Sequence, residues 1–280
     1  MNRIFWKELW MLLIFTFLGI VSMVATLGIT ALLAHFVGQN DTLELHVGHW
    51  WQMVFVMFLP ALLWYRLRMK GNALEAFGFK HIDWRMMALT CVLMLVSYPL
   101  VEFITFMNYS IPLPESWREH VISAKVGQYE LMGRMLAMNG VWGWIENIAL
   151  VCVATAIAEE TMFRGAIYKC FGLTRLNKHL IAMGVGLLFS MAHFDISGFL
   201  ARWIMGTALC YLVIYGRSIW PAILAHAMNN LFALIQFKML PEGYNAAEPA
   251  EYDFGWFWLI LSIAATGVVL KWMKAKVLKD

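Results

Sequence analysis

ATAIAEETMFRGAIYK, residues 154–169, places two adjacent carboxylates and a guanidinium inside an apolar run long enough to cross a bilayer. A charged side chain near the middle of a membrane helix costs roughly 2.5–3.5 kcal/mol on insertion scales, so Glu159, Glu160 and Arg164 together demand a purpose. On a helix Glu160 and Arg164 are i and i+4, with the acid N-terminal, the favourable orientation for an ion pair. Glu159 lies about 100° round the helix and faces elsewhere. The stretch supports two readings equally. In one, Arg164 holds Glu160 ionised and in place, while Glu159 points into a cavity as a general base. In the other, all three form a buried polar clamp between helices, without chemistry.

Working outward, the composition makes this run one of several. Of the 280 residues 61% are hydrophobic and only 14% charged, with a mean hydropathy of +0.67, outside the range of soluble globular chains. The net charge of +3 is small and its basic residues flank apolar runs, which excludes nucleic acid as the expected partner and leaves the lipid bilayer. Cys91, Cys152, Cys170 and Cys210 fall in or at the ends of apolar runs with no CxxC spacing, so neither a disulfide framework nor a zinc knuckle is expected. The first apolar run, from about Trp10 to Val37, is longer than a signal-peptide core and reads as a retained membrane helix.

Spanning runs fall near residues 10–37, 47–66, 86–108, 143–171, 178–195, 198–216, 219–238 and 254–272. The expected fold is therefore an all-α polytopic membrane helix bundle of about eight transmembrane helices. Lys and Arg set its orientation. Fifteen lie on one side (Arg3, Lys7, Arg66, Arg68, Lys70, Lys80, Arg85, Lys169, Arg175, Lys178, Arg217, Lys271, Lys274, Lys276 and Lys279) against Arg118, Lys125, Arg134 and Lys238 on the other. Both termini are thus expected in the cytoplasm. After Pro112 and Pro114, ESWREHVISAKVGQYELMGRMLAM mixes apolar and charged residues at helical spacing, as a helix lying in the interface does. No repeat or low-complexity tract stands out.

Two later runs carry polar groups at helical spacing. LLFSMAHF sets Phe189 and His193 at i and i+4, and LAHAMNNLF does the same for His226 and Asn230. A lone membrane histidine can simply bond a neighbouring helix, but two of them with an asparagine and a glutamate pair call for more. EETMFR, FSMAH and HAMNN, in this order, match the EExxxR, FxxxH and HxxxN patterns of the CPBP intramembrane proteases, which include the CAAX prenyl endopeptidases and bacteriocin-processing and immunity proteins. The chain resembles that family over roughly residues 143–238. The expected division is 1–142, membrane helices and an external interfacial segment; 143–238, a catalytic membrane core; and 239–280, an external loop and last helix.

The resemblance implies an endopeptidase of the glutamic type. Glu159 and His193 would activate a water for attack on a peptide carbonyl, and His226 and Asn230 would stabilise the oxyanion. Glu160 and Arg164 would hold the helix and its charge balance; Phe189 would orient His193 or be plain core. No cofactor and no metal is expected, although Glu159, His193 and His226 are a ligand set that zinc would accept. Asp195 receives no role, Arg202 reads as an interfacial anchor, and Glu102, Glu146 and Asn147 read as interhelical or interfacial groups. The expected substrate is a membrane-associated or lipidated peptide or protein, and the expected location a bacterial plasma membrane. The rivals are a metal-dependent membrane protease and a non-catalytic immunity, chaperone or proton-coupled transport protein.

Overall fold

The computed structural model describes residues 3–37, 41–68, 71–138, 140–248 and 252–277, and every regular element among them is a helix. Six helices are long and apolar enough to span a membrane: Arg3–Ile29, Thr42–Arg68, Trp84–Tyr109, Gly140–Gly172, Phe199–Gly216 and Trp256–Ala275. Their outer faces are apolar, with Leu13, Phe17, Val24, Leu95 and Ile260 all exposed. Water would not tolerate such surfaces and lipid does. The protein is an all-α polytopic membrane protein. Two further helices lie where the fifth and seventh runs were expected. Lys178–Met191 is apolar but has 14 residues, and Trp220–Met239 has 20 but carries His226, Asn229, Asn230 and Lys238. Of the charged residues used for orientation, Lys70 and Lys279 and the side chain of Lys276 lie outside the described residues.

The chain divides into two compact units, Met1–Phe79 with Glu130–Ile181, and Lys80–Tyr129 with Ala182–Asp280. In the first, helix Arg3–Val37 packs along the helix at 41–68, which widens into a π-helical stretch at Gln52–Phe58. Gly19 permits the contact, because a Cβ there would lie 2.1 Å from the Phe55 carbonyl oxygen. At the other end of the pair, Glu8 is buried and accepts from Arg68 Nε at 2.9 Å and from Trp64 Nε1 at 3.0 Å. The short helix Ala73–Phe77 starts at Asn72, whose side chain accepts from the Leu74 amide, and stops at Gly78 with φ +93°. The helix at 140–172 completes this unit. It contains two π-helical stretches, Ile148–Ala154 and Thr161–Ile167, which bracket the α-helical turn Thr155–Glu160.

In the second unit, helix Trp84–Tyr109 starts from an Asp83 cap and packs against Phe199–Gly216, Trp220–Met239 and Trp256–Val277. Met86, Leu93, Leu209, Leu212, Ala222, Ala225, Val269 and Met273 fill the space between them. Pro99 sits inside the first of these helices, and Ser262 of the last one reaches it. The Ser262 hydroxyl donates to the Val96 carbonyl at 2.6 Å and accepts from the Leu100 amide at 3.2 Å, a neighbour's side chain satisfying backbone disturbed by a proline. Helices Lys178–Met191 and Phe199–Gly216 cross at two glycines; a Cβ on Gly206 would sit 2.9 Å from Gly186 Cα and 3.1 Å from Phe189 Cδ1. The segment expected to lie in the interface forms the helix Glu115–Met135. Within this unit it is tied by Lys125, which donates to the Glu248 carbonyl at 3.0 Å.

Candidate active site

The acidic stretch lies in the first unit. Arg164 Nη1 donates to Glu160 Oε1 at 2.7 Å, and both side chains are fully shielded from solvent. Such a pair persists away from water because its charges are joined by a short, charge-assisted bond. Glu159, one residue earlier, is buried as well, at 7% exposure. One turn before it on the same α-helical turn is Thr155, whose hydroxyl donates to the Leu150 carbonyl at 3.0 Å. His49 Nε2 lies 2.9 Å from that hydroxyl. Since the hydroxyl proton is already used, His49 Nε2 must be the donor, which fixes its tautomer. His46 carries its Nε2 proton too, because that nitrogen lies 2.8 Å from the Met135 carbonyl, and its Nδ1 is 3.6 Å from Glu146 Oε1. The residue types of His46, His49 and Thr155 carried no motif, and only their pairing across two helices brings them to notice.

An apolar cleft of about 760 Å³ runs between the helices at 41–68 and 140–172. Met53, Val54 and Phe58 line one side, Val153, Ile157 and Ala158 the other. It ends one residue from Glu159. The π-helical stretches on both sides widen the helices that wall it.

The histidines and the asparagine lie in the second unit. His193 departs from expectation. The run at 178–195 was expected to be helical throughout, but the helix ends at Met191, and His193 stands in the turns that follow it. The reason is local. Phe194 takes φ +50°, a left-handed conformation that stops a helix, and Asp195 forms a side-chain turn by accepting from the Ser197 amide at 2.9 Å. His193 nevertheless remains over Phe189. Its Nδ1 lies 2.8 Å from the Phe189 carbonyl oxygen. A carbonyl only accepts, so Nδ1 carries a proton, and of the two neutral tautomers this is the one that leaves the lone pair on Nε2. The Phe189 ring is fully buried and touches both imidazoles, at 4.8 Å from His193 and 5.7 Å from His226 between ring centroids. His226 is buried on helix Trp220–Met239, and Asn230 follows it by one turn, half-buried.

The loop that carries His193 is fastened on every side. Asp195 is buried and ion-paired to Arg202, which also donates to the Asp195 carbonyl at 2.7 Å. The guanidinium of Arg202 is thus committed to Asp195. Asn108, from helix Trp84–Tyr109, donates to the Ser197 carbonyl and accepts from the Leu200 amide at 2.6 Å. Ser190 donates to the Phe199 carbonyl at 2.7 Å. From the sequence Asn108 receives no role, and Ser197 only that of closing a tight link, Asp195–Ser197, between two apolar runs. An asparagine within an apolar run and the Asp-x-Ser-Gly turn pattern were the signals that could have marked them.

Burial alone would raise the pKa of Asp195, but the hydrogen bonds from Ser197 and Arg202 outweigh it and hold the carboxyl below its ordinary value of 3.8. A folded-state pKa below the unfolded one contributes stability above the unfolded value, and that contribution is lost as pH falls through the folded value. The melting-temperature difference between wild type and Asp195→Asn should accordingly be constant at neutral pH and shrink below the ordinary aspartate value. A difference that stays constant into strong acid would show that the charge of Asp195 does not hold the loop.

Among the described residues no three His, Cys, Asp or Glu side chains are arranged as a metal site. The four cysteines are free thiols, with Cys152, Cys170 and Cys210 buried.

The membrane-spanning helices define an integral multi-pass membrane protein; one unit buries a glutamate pair with an arginine, and the other sets the buried His226 and the exposed His193 against the ring of Phe189. Residues 141–232 match the family model described as type II CAAX prenyl endopeptidase Rce1-like. The match takes in 92 of the 280 residues, including all seven candidate positions, and over this segment the chain is similar to that family. No curated protein and no solved structure matches the chain.

Proposed function

We propose that this protein is an intramembrane endopeptidase that hydrolyses a peptide bond of a membrane-associated or lipidated substrate, with Glu159 as the general base. Glu159 takes a proton from water as the oxygen attacks the carbonyl carbon. His226 and Asn230 donate hydrogen bonds to the oxyanion that forms, usually a large contribution to acyl transfer. His193, with Nδ1 donating to the Phe189 carbonyl, accepts at Nε2 the second proton of that water from the tetrahedral intermediate. Glu159 and His193 then each deliver a proton to the departing nitrogen, so the products are a carboxylate and an ammonium and both side chains return to their starting state. The Glu160–Arg164 pair holds the helix and its charge.

The observation that carries this reading is the tautomer of His193. A backbone carbonyl that accepts from Nδ1–H orients the ring and, in the neutral imidazole, leaves Nε2 as the basic nitrogen, the arrangement a proton-transfer role requires. The apolar cleft, lined by Ile157 and Ala158 of the turn that carries Glu159, has the size and chemistry to take a lipid or isoprenoid tail of the substrate. The fifteen-to-four asymmetry of Lys and Arg supports both termini in the cytoplasm, and the compact loops favour a bacterial plasma membrane.

The test is cleavage of a farnesylated CAAX-type peptide by the purified protein in lipid nanodiscs, with metal content measured after chelation. Chelated, metal-free protein should retain its full turnover, because Arg164 sets a positive charge near the acidic pair and Asn230 is a hydrogen-bond donor before it is a ligand. Turnover that vanishes and returns with stoichiometric zinc would reassign Glu159, His193 and His226 as ligands. Peptide left intact, with transport of protons or solute in its place, would make the protein a carrier.

A further inference from the structure

Phe194 is the most exposed large hydrophobic residue among those described, at 95% exposure, and it is also one of two non-glycine residues with positive φ. The other, Arg217 at φ +52°, ends helix Phe199–Gly216. Phe194 stands three residues past the end of helix Lys178–Met191, its amide bonded to the Met191 carbonyl at 3.1 Å. Glycine or asparagine serves that position without strain, whereas a bulky aromatic side chain in the left-handed region is an outlier. The chain thus accepts two unfavourable features at one residue, a strained backbone and an uncovered ring. Strain of this kind persists only where the surroundings over-determine it.

The surroundings do so here. His193 before it is bonded to Phe189. Asp195 after it is buried and held by Ser197 and Arg202, and Ser197 is held in turn by Asn108. The backbone on both sides of Phe194 is pinned while its ring stands clear, directly beside the histidine that offers a basic nitrogen.

We propose that Phe194 is a specificity-determining residue whose ring packs against the apolar side chain next to the scissile bond of the substrate. The inference rests on the assignment of His193 to the reacting groups. An aromatic ring one residue from the group that meets the water can reach only the part of a peptide that flanks the cleaved bond. It would be covered there when substrate arrives, which accounts for its exposure without substrate. The Asn108, Asp195, Ser197 and Arg202 contacts keep ring and imidazole in fixed relation.

Two peptides test this, farnesylated and alike except for leucine or alanine immediately after the cleaved bond. Phe194→Gly relieves the backbone and should leave the melting temperature unchanged or raise it by about 2–4 °C. For the leucine peptide its KM should rise about tenfold with kcat nearly unchanged, the mark of lost uniform binding, and the alanine peptide should be unaffected. Phe194→Leu should recover most of the preference for leucine. Benzoylphenylalanine at position 194, in a Glu159→Gln background, should crosslink to the leucine peptide, which reads contact without turnover. Unaltered discrimination in Phe194→Gly, with crosslinks to lipid alone, would make the ring a membrane anchor and overturn the proposal while wild-type cleavage leaves the protease reading intact. A wild-type protein that cleaves neither peptide overturns both.

Discussion

Arg164→Ala should destabilise the protein by about 3–5 kcal/mol, the largest stability effect expected of any single substitution in the acidic stretch. The guanidinium and the Glu160 carboxylate are fully shielded and bonded at 2.7 Å. Removing one leaves the other as a charge in a medium that cannot solvate it. The double substitution Glu160→Leu with Arg164→Met removes both charges together and should recover much of the loss, since well-packed apolar residues often replace a buried pair at little cost. Thermal unfolding in detergent of the two single variants and the double one checks this. Equal losses in singles and double would mean that packing volume, and not the ion pair, holds this part of the helix.

Glu159→Gln should abolish turnover, with a loss of about 10³-fold or more, while the melting temperature stays that of wild type. A positioned general base is typically worth 10²–10⁴-fold, and glutamine keeps the shape and hydrogen-bonding reach of glutamate but cannot take the proton. The contrast with Arg164→Ala is the point of the pair of experiments: adjacent acids on one turn, one expected to matter to chemistry and the other to stability. Cleavage of the farnesylated peptide and thermal unfolding, measured on the same preparation, read both. Retained turnover in Glu159→Gln would remove the glutamate from the reaction.

Much of this arrangement was legible in the sequence. Apolar runs of spanning length announced the helices, because only a helix satisfies its backbone within lipid. The i, i+4 spacing of Glu160 and Arg164 announced an ion pair that forms as such. What stayed hidden depends on departures from regular helix. The π-helical stretches at Gln52–Phe58, Ile148–Ala154 and Thr161–Ile167 left no mark in the spacing of residues, and even the last, which carries Arg164, reads as ordinary helix. His193 was placed within a helix because hydropathy does not fall until after it, whereas the helix stops at Met191 through a backbone dihedral at Phe194 and a side-chain turn at Asp195. The grip of Asn108 on the same loop joins positions nearly ninety residues apart, beyond the reach of any local pattern.

The hydroxyl of Ser262 belongs to the last helix, yet it bridges two backbone groups of another, Val96 and Leu100, on either side of Pro99. The two helices therefore share a single hydrogen-bond ladder at this level. An isolated helix would hinge at such a proline; here the hinge is closed by a part borrowed from its neighbour. The C-terminal helix cannot be withdrawn as a passive wall, because its departure would take the bridge between the Val96 carbonyl and the Leu100 amide out of Trp84–Tyr109, the helix whose far end carries Asn108.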